Sequence, residues 1–132
     1  MSSGSTETEK VVLITGGAMG LGLAVGEQLG ARGWQVGVAD LNQLAGEQAV
    51  QTLRKAGTRA EFFQVDLASA KGPKAMVDWA AQTFGHLDVL INNAGILTVE
   101  RFGEMTAEAW ERTLIINVRA VALAMSAAGE LM

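Results

Sequence analysis

The sequence has no cysteine and no tyrosine, and it has one histidine and one proline. Without cysteine there are no disulfides and no thiolate metal sites, which suits a reducing interior. The single histidine, His86, lies in Gly85-His86-Leu87-Asp88 with no nucleophile or second ligand spaced around it, so it reads as a loop residue and no metal site is expected. Ten Lys/Arg against fourteen Asp/Glu give a net charge of -4, and the basic residues do not cluster. A nucleic-acid partner is therefore not expected. No uninterrupted apolar run approaches the roughly 20 residues of a membrane span, so no membrane association is expected either. Met1 to Glu9 is polar and lacks the apolar segment of a secretory signal, so it reads as a disordered tail, with cytoplasm as the default location.

What remains is a chain of 132 residues, 49% hydrophobic, enough for one packed domain over residues 10–132. Short β-branched or apolar runs alternate with longer stretches of helical period. Lys10 to Thr15, Gln35 to Asp40, Ala60 to Val65 and Leu87 to Asn92 read as strands. Gly20 to Arg32 reads as a helix stopped by Gly33. Asn42 caps a second helix that ends at Gly57, and Gly72-Pro73 leads into a third from Ala75 to Phe84. Thr106 caps a long fourth that reaches about Ala128. Trp34, Trp79 and Trp110 read as packing residues. About four strands alternating with four helices predict an α/β fold with a doubly wound parallel sheet, whose ligands bind beyond the C-terminal ends of the strands.

The polar clusters fall at those ends. The first strand runs into Thr15-Gly16-Gly17-Ala18-Met19-Gly20-Leu21-Gly22. Glycines here permit a tight turn, close approach of backbone to a diphosphate, and close packing of the following helix, whose N-terminal N–H groups favour an anion. The same glycines also suit a turn that holds no ligand. Asp40 ends the second strand, 24 positions after Gly16. A carboxylate at about that distance can accept from ribose hydroxyls and would repel the 2′-phosphate of NADP. Neither Met19, Leu41 nor Asn42 supplies a compensating cation, so NAD is preferred over NADP. Asp66-Leu67 closes the third strand, and Asn92-Asn93-Ala94-Gly95 closes the fourth. Asn117 stands among strong apolar neighbours in the last helix, where a mediocre helix former suggests a packed polar role.

T-G-x-x-x-G-x-G after a first strand, followed at the matching distance by L-D-V-L-I-N-N-A-G, resembles the short-chain dehydrogenase/reductase family over positions 10 to about 128. The resemblance implies a partial Rossmann-like domain, incomplete at its C-terminus, and an NAD(P)-dependent oxidoreductase parent that moves hydride between NAD and an alcohol/ketone substrate. It implies cofactor contacts from Thr15, Gly16, Met19, Gly20, Leu21 and Gly22, from Asp40 and Leu41, from Asp66 (to the adenine amino group) and Leu67, and from Asn93, Ala94 and Gly95. Asn117 would take a supporting catalytic role by holding a water of the proton relay. The family also needs a Tyr-x-x-x-Lys and a serine. With no tyrosine that motif is absent in every register, and Ser126 lies inside a helix rather than at a strand end. The chain alone is therefore expected to be inactive, a non-catalytic NAD-binding module or an inactive fragment being the alternatives to an oxidoreductase portion. The resemblance further predicts that strand four has a free apolar edge at Val89-Leu90-Ile91. Leu114, Val118, Val121 and Met125 would be uncovered, so the chain is expected to self-associate or form a homo-oligomer.

Overall fold

The structure, a computed structural model, describes residues 9–132. The tail expected over residues 1–9 thus falls outside the described residues except for Glu9, whose carboxylate accepts from Gln35 Nε2 at 3.1 Å. Four parallel strands, β1 (Val11–Thr15), β2 (Gln35–Asp40), β3 (Ala60–Gln64) and β4 (Val89–Ile91), form one sheet in the order β3-β2-β1-β4. The strand order reverses at β1, which pairs with β2 on one side and β4 on the other. This is the partial doubly wound sheet that the alternating pattern predicts.

The alternation within β1 builds two cores. Val12 and Ile14 point to a face shared with Val36, Val38, Ala49 and Leu53, against which Leu23 and Leu29 pack, so α1 (Gly20–Ala31) and α2 (Gln43–Lys55) cover it. Val11 and Leu13 point to the opposite face, covered by Met76, Val77 and Ala80 of α3 (Gly72–Phe84) and by Ala124 and Ala128 of α5 (Ala120–Leu131). Small residues spaced four apart let α5 lie close on α3. On the same face Phe63 stacks on Trp79, ring centroids 5.2 Å apart. Trp34 is half-buried, but Trp110 is exposed and packs into neither core, contrary to expectation. An alternating pattern does not report which face of a helix a neighbour covers.

Boundaries shift where side chains replace ladder bonds. β4 is shorter than expected because Asp88 Oδ2 takes the Val11 N–H at 2.7 Å at one end. At the other end Asn93 turns out of the ladder onto Thr15. α3 starts at Gly72 rather than Ala75, since Pro73 in the first turn lacks an N–H that would be unpaired there anyway. Asn42 and Thr106 cap their helices as expected, accepting from Ala45 N at 3.0 Å and Ala109 N at 3.1 Å.

The last helix differs most from expectation. It runs from Ala107 to Leu131 as α4 (Ala107–Leu114), a π-helical stretch (Ile115–Arg119) and α5. An 18-residue window within its 25 residues has mean hydropathy 1.5, long and apolar enough for a membrane span by length and composition alone. Asn117 and Arg119 interrupt the apolar run in sequence, which hides this. No uninterrupted apolar run of about 20 residues occurs, yet the helix as a whole meets the length and hydropathy of a span.

Candidate functional site at the strand ends

The glycine turn is built on positive backbone angles. Gly16 has φ 63° and Gly20 φ 56°, a region in which a side chain would be strained. Gly16 N donates to Ala39 O at 2.8 Å, pinning the turn to the end of β2. A methyl group at Gly22 would collide with the Gly16 carbonyl oxygen and stand 2.6 Å from Asn93 Nδ2, whereas one at Gly20 would meet open space. So Gly22 seats α1 on the turn, and Gly20 leaves room above it. α1 begins after Met19 with no side chain capping its first N–H groups and no acidic residue in its first turn. These free donors, with the positive end of the helix, suit an anion.

Asp40 is half-buried at the end of β2. Its Oδ2 accepts from Ala18 N at 3.2 Å and its Oδ1 from Asn42 N at 3.1 Å. The carboxylate ties the glycine turn to the start of α2, and each oxygen keeps a lone pair for a further donor. Asp66 is exposed and accepts from Ala68 N at 2.9 Å, closing its own turn into α3.

Thr15 and Asn93 join the two halves of the site. The Thr15 hydroxyl is buried, accepts from Asn93 N and Ala94 N at 3.0 Å each, and donates to Ile91 O at 3.4 Å. Asn93 Nδ2 in turn donates to Thr15 O and Gly16 O, both at 3.1 Å. Asn93 thus braces the ends of β1 and β4, and the Asn92 side chain has no hydrogen bond among the described residues. Asn117, in the π-helical stretch, accepts from Ile96 N at 2.9 Å and donates to Ile96 O at 2.8 Å. Both ends of its amide are committed to one backbone residue, so its side chain clamps the segment after β4.

One cavity of about 320 Å³ gathers these groups. Gly16 and Met19, Asp40 and Leu41, Asp66 and Leu67, and Asn93 to Gly95 all line it. Thr15, Gly20, Leu21, Gly22 and Asn117 do not. Thr15, Gly22 and Asn117 instead support the wall from behind through the contacts above. Four lining residues, Val65, Ile96, Arg112 and Ile116, were not picked out in the sequence. Arg112 and Ile116 come from a helix distant in sequence, and no motif marks them. The volume is at the small end of the range of about 300–1,000 Å³ typical of ligand pockets, with apolar walls and a few polar groups. Two carboxylates, uncapped helix donors and the space above Gly20 together fit a dinucleotide.

A larger recess of about 500 Å³ lies between α3 and α5, lined by Lys74, Asp78 and Glu130 among others. Lys74 Nζ stands 2.6 Å from Asp78, whose hydrogen bond and charge raise the Lys74 pKa above its ordinary value. The pair is solvated, and no group of the strand-end site reaches it. No group of three or more His, Cys, Asp or Glu suited to a metal ion occurs among the described residues.

Comparison with known proteins agrees with this geometry. The family model described as short chain dehydrogenase matches residues 10–132. The cyclopentanol dehydrogenase of Comamonas testosteroni is 41% identical over 115 residues, 87% of this chain and 46% of that protein. The L-2,3-butanediol dehydrogenase of Corynebacterium glutamicum is 37% identical over 122 residues, 90% of this chain and 47% of that protein. A short chain dehydrogenase/reductase from Burkholderia phymatum, solved in complex with NAD, superposes with TM-score 0.89 at 31% identity, covering 94% of this chain and 44% of that one. A short chain dehydrogenase from Burkholderia cenocepacia, solved with NADP, gives TM-score 0.90 at 35% identity, covering 93% and 51%. The chain spans about half the length of the relatives it matches. Matched over nearly all of its own length in both sequence and fold, the chain belongs to the short-chain dehydrogenase/reductase family.

Proposed function

We propose that this chain is the dinucleotide-binding part of a short-chain dehydrogenase and that it prefers NAD to NADP. The observation that carries the reading is the convergence of the glycine turn, Asp40, Asp66 and Asn93 to Gly95 on one cavity at the reversal of strand order. The α1 N-terminus and the glycine turn would hold the diphosphate, Asp40 the adenosine ribose, and Asp66 with Leu67 the adenine. Ala94 and Gly95 would border the cofactor, with Thr15, Gly22 and Asn93 keeping the turn in shape. Met19 and Leu41, both exposed at the cavity, would supply apolar contact. The NAD preference rests on the Asp40 carboxylate and on the absence of a cation at Met19, Leu41 or Asn42. An anion beside a 2′-phosphate is repelled at short range.

NAD, when bound, would supply the hydride chemistry, and the residues named above would supply its position. A whole enzyme of this kind would act on an alcohol/ketone pair. The chain has no tyrosine, which favours a second reading of these 132 residues alone, as a nucleotide-binding module without turnover.

Calorimetric titration of the chain with NAD and NADP tests the binding reading. NAD should bind the more tightly, and the double substitution Asp40→Ser, Leu41→Arg should move preference toward NADP. Absence of binding by either dinucleotide would overturn the reading, and unchanged relative affinities in the double variant would overturn the role of Asp40. An oxidoreductase assay with secondary alcohols should give no turnover by the chain alone.

A further inference from the structure

Among the described residues, Arg112 is the one cation lining the strand-end cavity. It sits in the last turn of α4 and is exposed. Three other arginines are engaged. Arg54 pairs with Glu61 and Ala60 O, Arg59 donates to Gln35 and Thr83 O, and Arg119 donates to Ala68 O at 2.9 Å. The Arg112 guanidinium has no hydrogen bond or ion pair among the described residues. A free, planar cation at the rim of a cavity otherwise charged only by Asp40 and Asp66 is available to a ligand.

The topology says which part of the ligand it meets. α1, which follows the glycine turn, and α2, which follows Asp40, cover one face of the sheet. α3, which follows Asp66 and Leu67, covers the other together with α5. Arg119 fastens the last helix to the loop just after Leu67. Arg112, two turns before Arg119 on the same helix, therefore lines the cavity from the side on which Asp66 and Leu67 lead into α3. We infer that Arg112 is an adenine-contacting residue, laying its guanidinium plane on the face of the purine held at Asp66 and Leu67. Arginine stacks on flat π-systems in a way lysine does not. The inference rests on the cofactor reading above.

The test is calorimetry on the full chain with NAD, NADP and ADP-ribose, comparing Arg112→Ala, Arg112→Lys and Arg112→Phe. Loss of one exposed stacking contact should weaken NAD and ADP-ribose about fivefold in both the Ala and Lys variants. Arg112→Phe, flat but uncharged, should recover most of the affinity, and about 0.5 M salt should leave the Ala-to-Arg ratio in place. The thermal midpoint should not move, because the side chain is exposed and unpartnered. If the unsubstituted chain binds neither NAD nor ADP-ribose, the cofactor reading and this inference both fall. If it binds and Arg112→Ala binds equally well, this inference alone falls. Restoration by lysine with loss in salt would mean attraction to the diphosphate, and a loss confined to NADP would mean a 2′-phosphate contact. Either outcome overturns the stacking assignment.

Discussion

Replacing Thr15 by valine keeps the shape of the side chain and removes one oxygen. That oxygen accepts from two backbone donors, Asn93 N and Ala94 N, at 3.0 Å each. Thr15 is only 2% exposed, so water cannot readily replace it. Leaving a buried donor without a partner costs about 1–3 kcal/mol. Asn93 N also donates to Ile91 O at 3.1 Å, so Ala94 N is the donor left without a partner; it is partly buried, which puts the expected loss in the lower half of that range, at about 1–2 kcal/mol. Against the 5–15 kcal/mol typical of whole domains, that is a large fraction. With a urea slope of about 2 kcal/mol per molar, the midpoint should fall by about 0.5–1 M. Thr15→Ser keeps the oxygen and loses a methyl group, so it should cost less, about 1 kcal/mol. Urea unfolding followed by circular dichroism and tryptophan fluorescence measures both variants. Amide exchange should locate the damage at Ala94. If Thr15→Val proves as stable as Thr15→Ser, the hydroxyl does not carry the junction between β1 and β4, and the reasoning fails.

Gly22→Ala should weaken NAD binding by tenfold or more and cost about 1–3 kcal/mol of stability, because the added methyl collides with the Gly16 carbonyl and Asn93; titration and urea unfolding of one preparation check both. Asn117→Ala frees both backbone groups of Ile96. Since that residue pair is largely solvated, global stability should change by under about 1 kcal/mol, while limited proteolysis within residues 92–106 should accelerate, and an unchanged cleavage rate would show that Asn117 does not clamp the segment. Among the described residues the edge of β4 pairs with no further strand, and Leu114, Val118 and Met125 are exposed on the last helix. The chain should therefore self-associate with rising concentration in sedimentation velocity, and a monodisperse monomer with a cooperative melt would refute this.

Much of the fold was legible because local chemistry and tertiary need coincide. The β-branched run at Val11–Thr15 is covered on both faces, as near-continuous apolar strands in parallel sheets are. Asn42 and Thr106 cap helices for reasons contained within four residues. Asp40 could be placed at a strand end by counting from Gly16. Less legible were features that depend on a partner far along the chain. β4 loses residues to Asp88 and Asn93, which bond across to β1. Trp110 resembles a core residue in sequence and is exposed. Asn117 reads as a packed polar residue in sequence, and only the fold supplies its partner, the backbone of Ile96.

The sequence by itself determined the order of elements, the positions of the turn glycines and strand-end carboxylates, and the absence of any tyrosine. These are local or countable properties, set by backbone sterics, periodicity and composition. Only the tertiary structure decided which of those residues face the cavity and which stand behind it. Thr15 and Gly22 have the same motif membership as Gly16, yet they support the wall while Gly16 lines it. Only the fold could bring Arg112 to that cavity. It is separated from Asp66 by 46 positions, and its place depends on the last helix packing on the same face of the sheet as α3.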